Sequence, residues 1–156
     1  MAERARSKQQ LWRVIGALNA MTGQVDYAEN SIIGRERVSA FSRHLDQRYA
    51  HARRIYVIQD NWSIHAHPDV LATLATLHRL EPVWLPTYAP WLTPIEKLRR
   101  WLKGHVLKQH RLAADWLALR RRVTVFLDQF AAGSCALLRY VGLLGDGKLA
   151  QACQPA

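Results

Sequence analysis

Asp60 and Glu96 are the residues whose types and surroundings best suit chemistry. Asp60 ends an apolar run, Ile55 to Gln59, and a turn follows it at once. Glu96 comes after a second apolar run, Val83 to Leu85, and a proline-rich turn, and it falls in the first turn of a helix. About 35 residues separate the two acids, the length of one strand–helix–strand crossover. Such a crossover places both acids at the same end of a parallel sheet, where ligands and metals bind. Two carboxylates there suit Mg²⁺, which takes oxygen ligands and is held by one or two carboxylates together with substrate phosphates. A pair of such ions roughly 3.5–4 Å apart can activate an attacking oxygen and stabilise a leaving one in phosphodiester chemistry.

Each residue also has a plainer reading. Glu96 can close a capping box, Thr93-Pro94-Ile95-Glu96, by reaching back to the Thr93 amide. Asp60-Asn61 can be a strand-ending turn. His65 and His67 stand two apart just after Asp60 and could ligate a metal, but ligand sets need several convergent groups, and loop histidines beside a proline are more often solvated or hydrogen-bonded. Glu96, Arg99, Arg100 and Lys103 share one helix face by their spacing. That face can hold nucleic-acid phosphates or be an ordinary solvated surface.

Composition narrows the choice. The chain has 156 residues, the size of one domain, and is 49% hydrophobic and 22% charged, ordinary for a soluble globular protein. The formal net charge is +10 and the pI about 10.3, which points to a polyanionic partner, most often nucleic acid. The basic residues recur along the chain, as Arg4/Arg6/Lys8, Arg53/Arg54, Lys97/Arg99/Arg100/Lys103 and Arg120/Arg121/Arg122. Cys135 and Cys153 form neither a disulfide framework nor a zinc spacing, so a reducing cytoplasm is the default. No apolar run approaches a membrane span, and the polar, basic start does not resemble a secretory signal.

The elements that must position the two acids follow from periodicity. Residues 1–10 read as a disordered basic start. Leu11 to Leu18 and Gln24 to Ile33 read as two strands joined by a tight turn at Met21-Thr22-Gly23, an antiparallel hairpin. Gly34 to Ala50 is helical, with Val38, Phe41, Leu45 and Tyr49 inward. Ile55 to Gln59 is so apolar that it reads as a central parallel strand covered on both faces. Pro68 to Leu80 is a helix with Val70, Leu71, Leu74 and Leu77 inward, and Val83 to Leu85 is a short parallel strand. Thr93 as N-cap and Pro94 at the first position open the next helix, with Ile95, Leu98, Leu102 and Val106 as its buried stripe. A long helix over 113–130 and an apolar final segment, Ser134 to Leu144, complete an α/β domain. The end, 145–156, reads as frayed.

At these residues the chain resembles the catalytic domain of DDE transposases, specifically the bacterial insertion-sequence branch of the mariner superfamily. The pattern Asp-Asn-x-x-x-His is met by Asp60, Asn61 and His65. The pattern Leu-Pro-x-Tyr-Ser/Ala-Pro-x-Leu-Asn-Pro-Ile-Glu is met by Leu85, Pro86, Tyr88, Ala89, Pro90, Leu92, Pro94, Ile95 and Glu96, with Thr93 in place of Asn. Gly16-Ala17-Leu18-Asn19 and Thr22-Gly23 are similar to the hairpin that follows the family's first strand. The resemblance covers roughly residues 11–130. It implies an α/β, ribonuclease H-like mixed sheet flanked by helices, with the catalytic domain over 11–132 and a C-terminal helix and tail over 133–156. It implies Mg²⁺- or Mn²⁺-dependent cleavage of DNA at transposon ends and strand transfer into target DNA, with Asp60 and Glu96 as the second and third metal-binding acids. Arg99, Arg100, Lys103, His65 and Asn61 are then the candidate DNA contacts. A homo-oligomer or full-length transposase is the implied protein partner, with no membrane involved.

The departures set further expectations. The family's first catalytic Asp stands on a strand upstream of the hairpin, and this sequence does not contain it; Asp26, in the hairpin, and Asp46, in a helix, are poor substitutes. Arg99 stands where the family often has Trp. The chain alone is therefore expected to be inactive. Its first, central strand would be missing, so that the Leu11–Leu18 and Ile55–Gln59 strands either pair directly or leave unpaired apolar edges and a poorly stable fold. The alternative reading is a non-catalytic nucleic-acid-binding remnant that modulates full-length transposase.

Overall fold

The computed structural model describes residues 12–86, 93–107 and 115–144. Strands β1 (Arg13–Leu18) and β2 (Val25–Asn30) form an antiparallel hairpin in which Gly16 faces Tyr27 and Leu18 faces Val25. Its turn is held by Asn19, whose Oδ1 accepts the Met21 and Thr22 amides. Helix α1 (Arg35–Arg48) follows, then β3 (Ile55–Gln59), α2 (Pro68–Thr76) and β4 (Leu80–Trp84), which pairs parallel to β3. Helix α3 (Pro94–Leu102) runs on into a π-helical turn, Lys103–Leu107, and α4 (Trp116–Asp128) and α5 (Cys135–Val141) close the order. The architecture is mixed α/β with two small sheets, β1–β2 and β3–β4.

Side-chain alternation along β1 shows how the layers stack. Val14 and Leu18 face one way, onto a core of Val25, Leu98, Val106, Val123, Leu127, Phe130, Leu137 and Val141, drawn from β2, α3 with its π turn, α4 with the residues just after it, and α5. Ile15 and Ala17 face the other way, onto Phe41 and Leu45 of α1. The hairpin is thus covered on both faces. The turn of the hairpin also clasps the loop between α4 and α5. Ser134 donates its amide to Thr22 O at 2.9 Å and Val25 donates to Phe130 O at 3.2 Å. Gly23 has φ +72°, and a Cβ there would lie 2.3 Å from Ser134 O, so glycine is required both by conformation and by space.

Helix α1 carries both sheets. The same cluster that takes Ile15 and Ala17 from β1 takes Val57 from β3 and Leu80 from β4. Arg79, in the turn before β4, fastens the end of α1 to the parallel pair: it donates to Asp46 O at 2.9 Å, to Asp46 Oδ2 at 2.8 Å and to Ala50 O, the arrangement a helix C-terminus favours.

One open alternative is decided, against direct pairing of β1 with β3, and three expectations are corrected. First, β1 and β3 are not hydrogen-bonded to each other; each belongs to its own two-stranded sheet. Backbone pairing needs an approach of about 4.8 Å along a whole edge, whereas sharing the side of α1 needs only side-chain contact. Secondly, β3 is not covered on both faces. Val57 packs under α1, but Tyr56 and Ile58 are each 59% exposed, because α3, α4 and α5 gather over the hairpin instead. Thirdly, α2 ends at Thr76 rather than Leu80, and β4 begins at Leu80 rather than Val83. Leu80 pairs opposite Ile55, and Pro82 is tolerated inside the strand because a sheet edge needs no donor there. Leu71 also faces outward, and Thr73 takes its place in the core. Fourthly, Cys135 takes part in a disulfide, which cysteine spacing alone does not encode; Cys153 lies outside the described residues. Also outside them are the basic start, Tyr88, Ala89, Pro90, Leu92 and the tail 145–156. Among the described residues no helix is long and apolar enough to cross a membrane.

Candidate functional site

Asp60 follows the last residue of β3, and its environment is built by the short loop to α2. Its Oδ1 accepts the Trp62 amide at 3.3 Å, an Asx turn, and Nε2 of His65 lies 3.7 Å from the same oxygen. The Asp60 side chain is 56% exposed and that of His65 only 16%. His65 is pinned from several sides: its amide donates to Trp62 O at 2.9 Å, and its ring meets the Trp62 ring edge-on with centroids 5.5 Å apart. Ile64 anchors the loop against the Ile33, Val38 and Val70 cluster. Burial pushes the His65 imidazole below its ordinary pKa, against the opposing pull of Asp60. The ring is therefore neutral at pH 7.

His67 has a structural task. Its Nδ1 accepts the Asp69 amide at 3.2 Å, so it is the N-cap of α2, with Pro68 at the first helical position. Asp69 pairs with Arg35 at 3.0 Å and joins the starts of α1 and α2.

Glu96 lies in the first turn of α3, behind Thr93 as N-cap and Pro94. The Thr93 side chain makes no cap bond to the helix. The Glu96 carboxylate turns along the helix to Arg99, whose Nε and Nη2 lie 2.8 and 2.6 Å from Oε2. The capping-box reading therefore does not describe where this carboxylate is engaged. Leu98, one of the most buried residues at 2% exposure, holds this turn to the core. On the same helix Lys97 donates to Val141 O at 2.8 Å and so ties α3 to the end of α5. Arg100 and Lys103 are exposed.

Parallel pairing of β3 with β4 places both acids after C-terminal strand ends, since Asp60 follows β3 directly and Glu96 follows β4 through the proline-rich connection. Both present hard oxygen donors, the type Mg²⁺ and Mn²⁺ prefer. Among the described residues no three of His, Cys, Asp and Glu converge as a metal site. Asp26 does not join them. It is buried on β2, accepts from the Tyr49 hydroxyl at 2.5 Å and faces Arg48 at 3.6 Å and His44 at 4.0 Å. It links the hairpin to the end of α1.

Sequence reasoning does not single out Trp62, although its amide holds Asp60 and its ring supports His65. The available signal was its place among the three variable positions between Asn61 and His65. Of the basic clusters, Arg120 is absorbed by structure: it holds Glu29 at 2.7 Å and lies over the Trp12 ring.

Comparison with known proteins fits this geometry. The sequence profile of a family described as DDE superfamily endonuclease matches residues 2–119, a span that includes both acids. A protein of Shigella sonnei, described as the insertion element IS630 uncharacterized 39 kDa protein, is 24% identical over 106 residues, covering 68% of this chain. The matched region spans 31% of that relative's length.

Proposed function

This chain belongs to the DDE superfamily endonuclease family, and we propose that it contributes Asp60 and Glu96 to the metal centre of a transposase that cuts and joins DNA. What supports the reading is the order of the chain, in which Asp60 directly follows β3 and Glu96 comes after its parallel partner β4, within the span that the family profile matches. Mg²⁺, or Mn²⁺ in its place, would be held by the two carboxylates and would supply charge stabilisation at the phosphate and an activated attacking oxygen. The residues of this chain do the rest. Asp60, half in solvent, and Glu96, in a helix start whose dipole favours a carboxylate, supply the oxygen donors. Arg100 and Lys103 lie on the helix face of Glu96, and Asn61 lies beside Asp60. These three, with Arg99 once it leaves Glu96, hold the DNA backbone, which needs no base recognition.

The fold reading that goes with this is ribonuclease H-like over residues 11–132, with 133–156 as a C-terminal extension. In that arrangement a further strand, carrying the first acid, lies between β1 and β3. The two separate sheets that share α1 support it. Transposon-end and target DNA are the substrates. A second copy or a longer transposase is the partner, and the cytoplasm is the compartment. With two acids of three, the chain is inactive by itself.

Mn²⁺ titration followed by amide NMR tests the reading. Paramagnetic broadening should centre on Asp60–Asn61 and Glu96–Lys97 and disappear in Asp60→Asn and Glu96→Gln. Broadening centred elsewhere would refute it. Plasmid cleavage by this chain alone, lost in both variants, would overturn the inactivity. The charge of +10 favours a second reading, a non-catalytic DNA-binding remnant that modulates full-length transposase. Its signature is DNA binding that weakens steeply with salt and is untouched by Asp60→Asn.

A further inference from the structure

We infer that His65 is a positioning residue for Asp60: its Nε2, bearing a proton, faces Asp60 Oδ1 and leaves Oδ2 as the oxygen that meets a cation. The inference rests on the reading of Asp60 as a metal ligand and deepens it.

The carboxylate is held on one side only. Among the described residues its contacts, the Trp62 amide at 3.3 Å and His65 Nε2 at 3.7 Å, both fall on Oδ1. A half-exposed aspartate held by a single turn bond would rotate freely about its terminal torsion, which is broad for this side chain. A second donor aimed at the same oxygen restricts that rotation and fixes the direction of the other oxygen.

The tautomer follows from the surroundings of the ring. Among the described residues the buried Nδ1 has no hydrogen-bond partner, and Nε2 faces a carboxylate. A lone pair on Nε2 would oppose the lone pairs of Oδ1, so Nε2 carries a proton. The ring cannot drift from this pose: Trp62 lies edge-on against it, its own amide is bonded to Trp62 O, and Ile64 is anchored in the core. At 3.7 Å the contact is longer than a hydrogen bond, as catalytic contacts often are before substrate binds. The same pose makes His65 a poor metal ligand, since one nitrogen is enclosed and the other faces Asp60. A mostly covered ring is also a poor phosphate contact.

The test uses the full chain and three variants. Phe at 65 keeps a ring against Trp62 but has no N–H, whereas Gln can place an amide N–H near the Nε2 position. Partners that orient a metal ligand change affinity about 10–100-fold when removed, so His65→Phe should weaken Mn²⁺ binding about tenfold or more. His65→Gln should restore most of it, and Asp60→Asn should abolish it. A purely structural histidine would give no rescue by Gln. Wild-type Mn²⁺ affinity in His65→Phe, with binding lost in Asp60→Asn, would overturn the positioning role and leave the Asp60 reading intact. Binding unchanged in Asp60→Asn would overturn both. Two measurements need no metal. ¹⁵N NMR should find the Nε2–H tautomer of His65, and an Nδ1–H tautomer would overturn the inference outright. The Asp60 ¹³Cγ resonance should shift in His65→Phe and return in His65→Gln; an unmoved resonance would overturn it too.

Discussion

The hairpin half and the parallel half of this molecule are built from strands of similar length but are covered differently. β1 and β2 lie between two layers, with α1 on one face and α3, α4 and α5 on the other. Among the described elements β3 and β4 have only α1 and α2, and Tyr56, Ile58 and Val83 of the opposite face remain exposed. A two-stranded sheet is marginal alone and gains its stability from what packs on it. The hairpin half therefore holds the fold together. The parallel half carries the candidate-site loop, Asp60 to His67, on a less protected support. Candidate ligands on low-stability loops are a common arrangement, since loops are where function concentrates.

The comparison can be broken most sharply in the core. Leu137→Ala, at a residue with no exposure, should cost about 2–5 kcal/mol in urea unfolding followed by circular dichroism. Ile58→Ala, on the open face of β3, should stay within about 0.5 kcal/mol. Equal losses would remove the distinction. Next in size is Gly23→Ala, which strains a left-handed turn and collides with Ser134 O. It should cost about 1–3 kcal/mol, and amide exchange should rise in β1, β2 and α5 together and little in β3.

Alkaline pH sharpens the role of α1 as the link between the halves. Burial, then the bond to Asp26, raises the Tyr49 hydroxyl from 10.0 to about 12. A group whose folded pKa is raised contributes stability that is whole below the unfolded value and disappears as pH rises through the folded one. Stability should therefore fall between about pH 10 and about pH 12, with a smaller fall in Tyr49→Phe. Tyr27, raised by burial and its bond to Asp128, keeps part of the effect. An identical pH profile in Tyr49→Phe would contradict this. The smallest effect on stability is expected for Val83→Thr. It should leave the urea midpoint nearly unchanged but reduce concentration-dependent light scattering, because it removes exposed apolar surface beside an unpaired strand edge.

Most element identities were legible because each is local. The hairpin follows from alternation around Met21-Thr22-Gly23, α1 from the spacing of Val38, Phe41 and Leu45, and the start of α3 from Thr93, Pro94 and Glu96. Boundaries near Leu77 to Val83 were misread because Leu80 continues a helical period and equally suits a strand. Only pairing with Ile55 decides between them. The candidate site was legible as two acids and a motif. That His67 caps a helix, that His65 turns to Asp60, and that Glu96 is engaged with Arg99 rather than with its cap depend on loop conformation, which no spacing encodes.

By itself the sequence determined the family, the α/β class and the basic character, because motif, periodicity and charge are properties of the chain alone. The tertiary structure decided which strand faces are covered. An apolar run such as IYVIQ states that burial would be favourable, not that a layer is present to provide it. Here the helices that could cover it are drawn to the hairpin, where the clasp between Thr22 and Ser134 holds α5 in place.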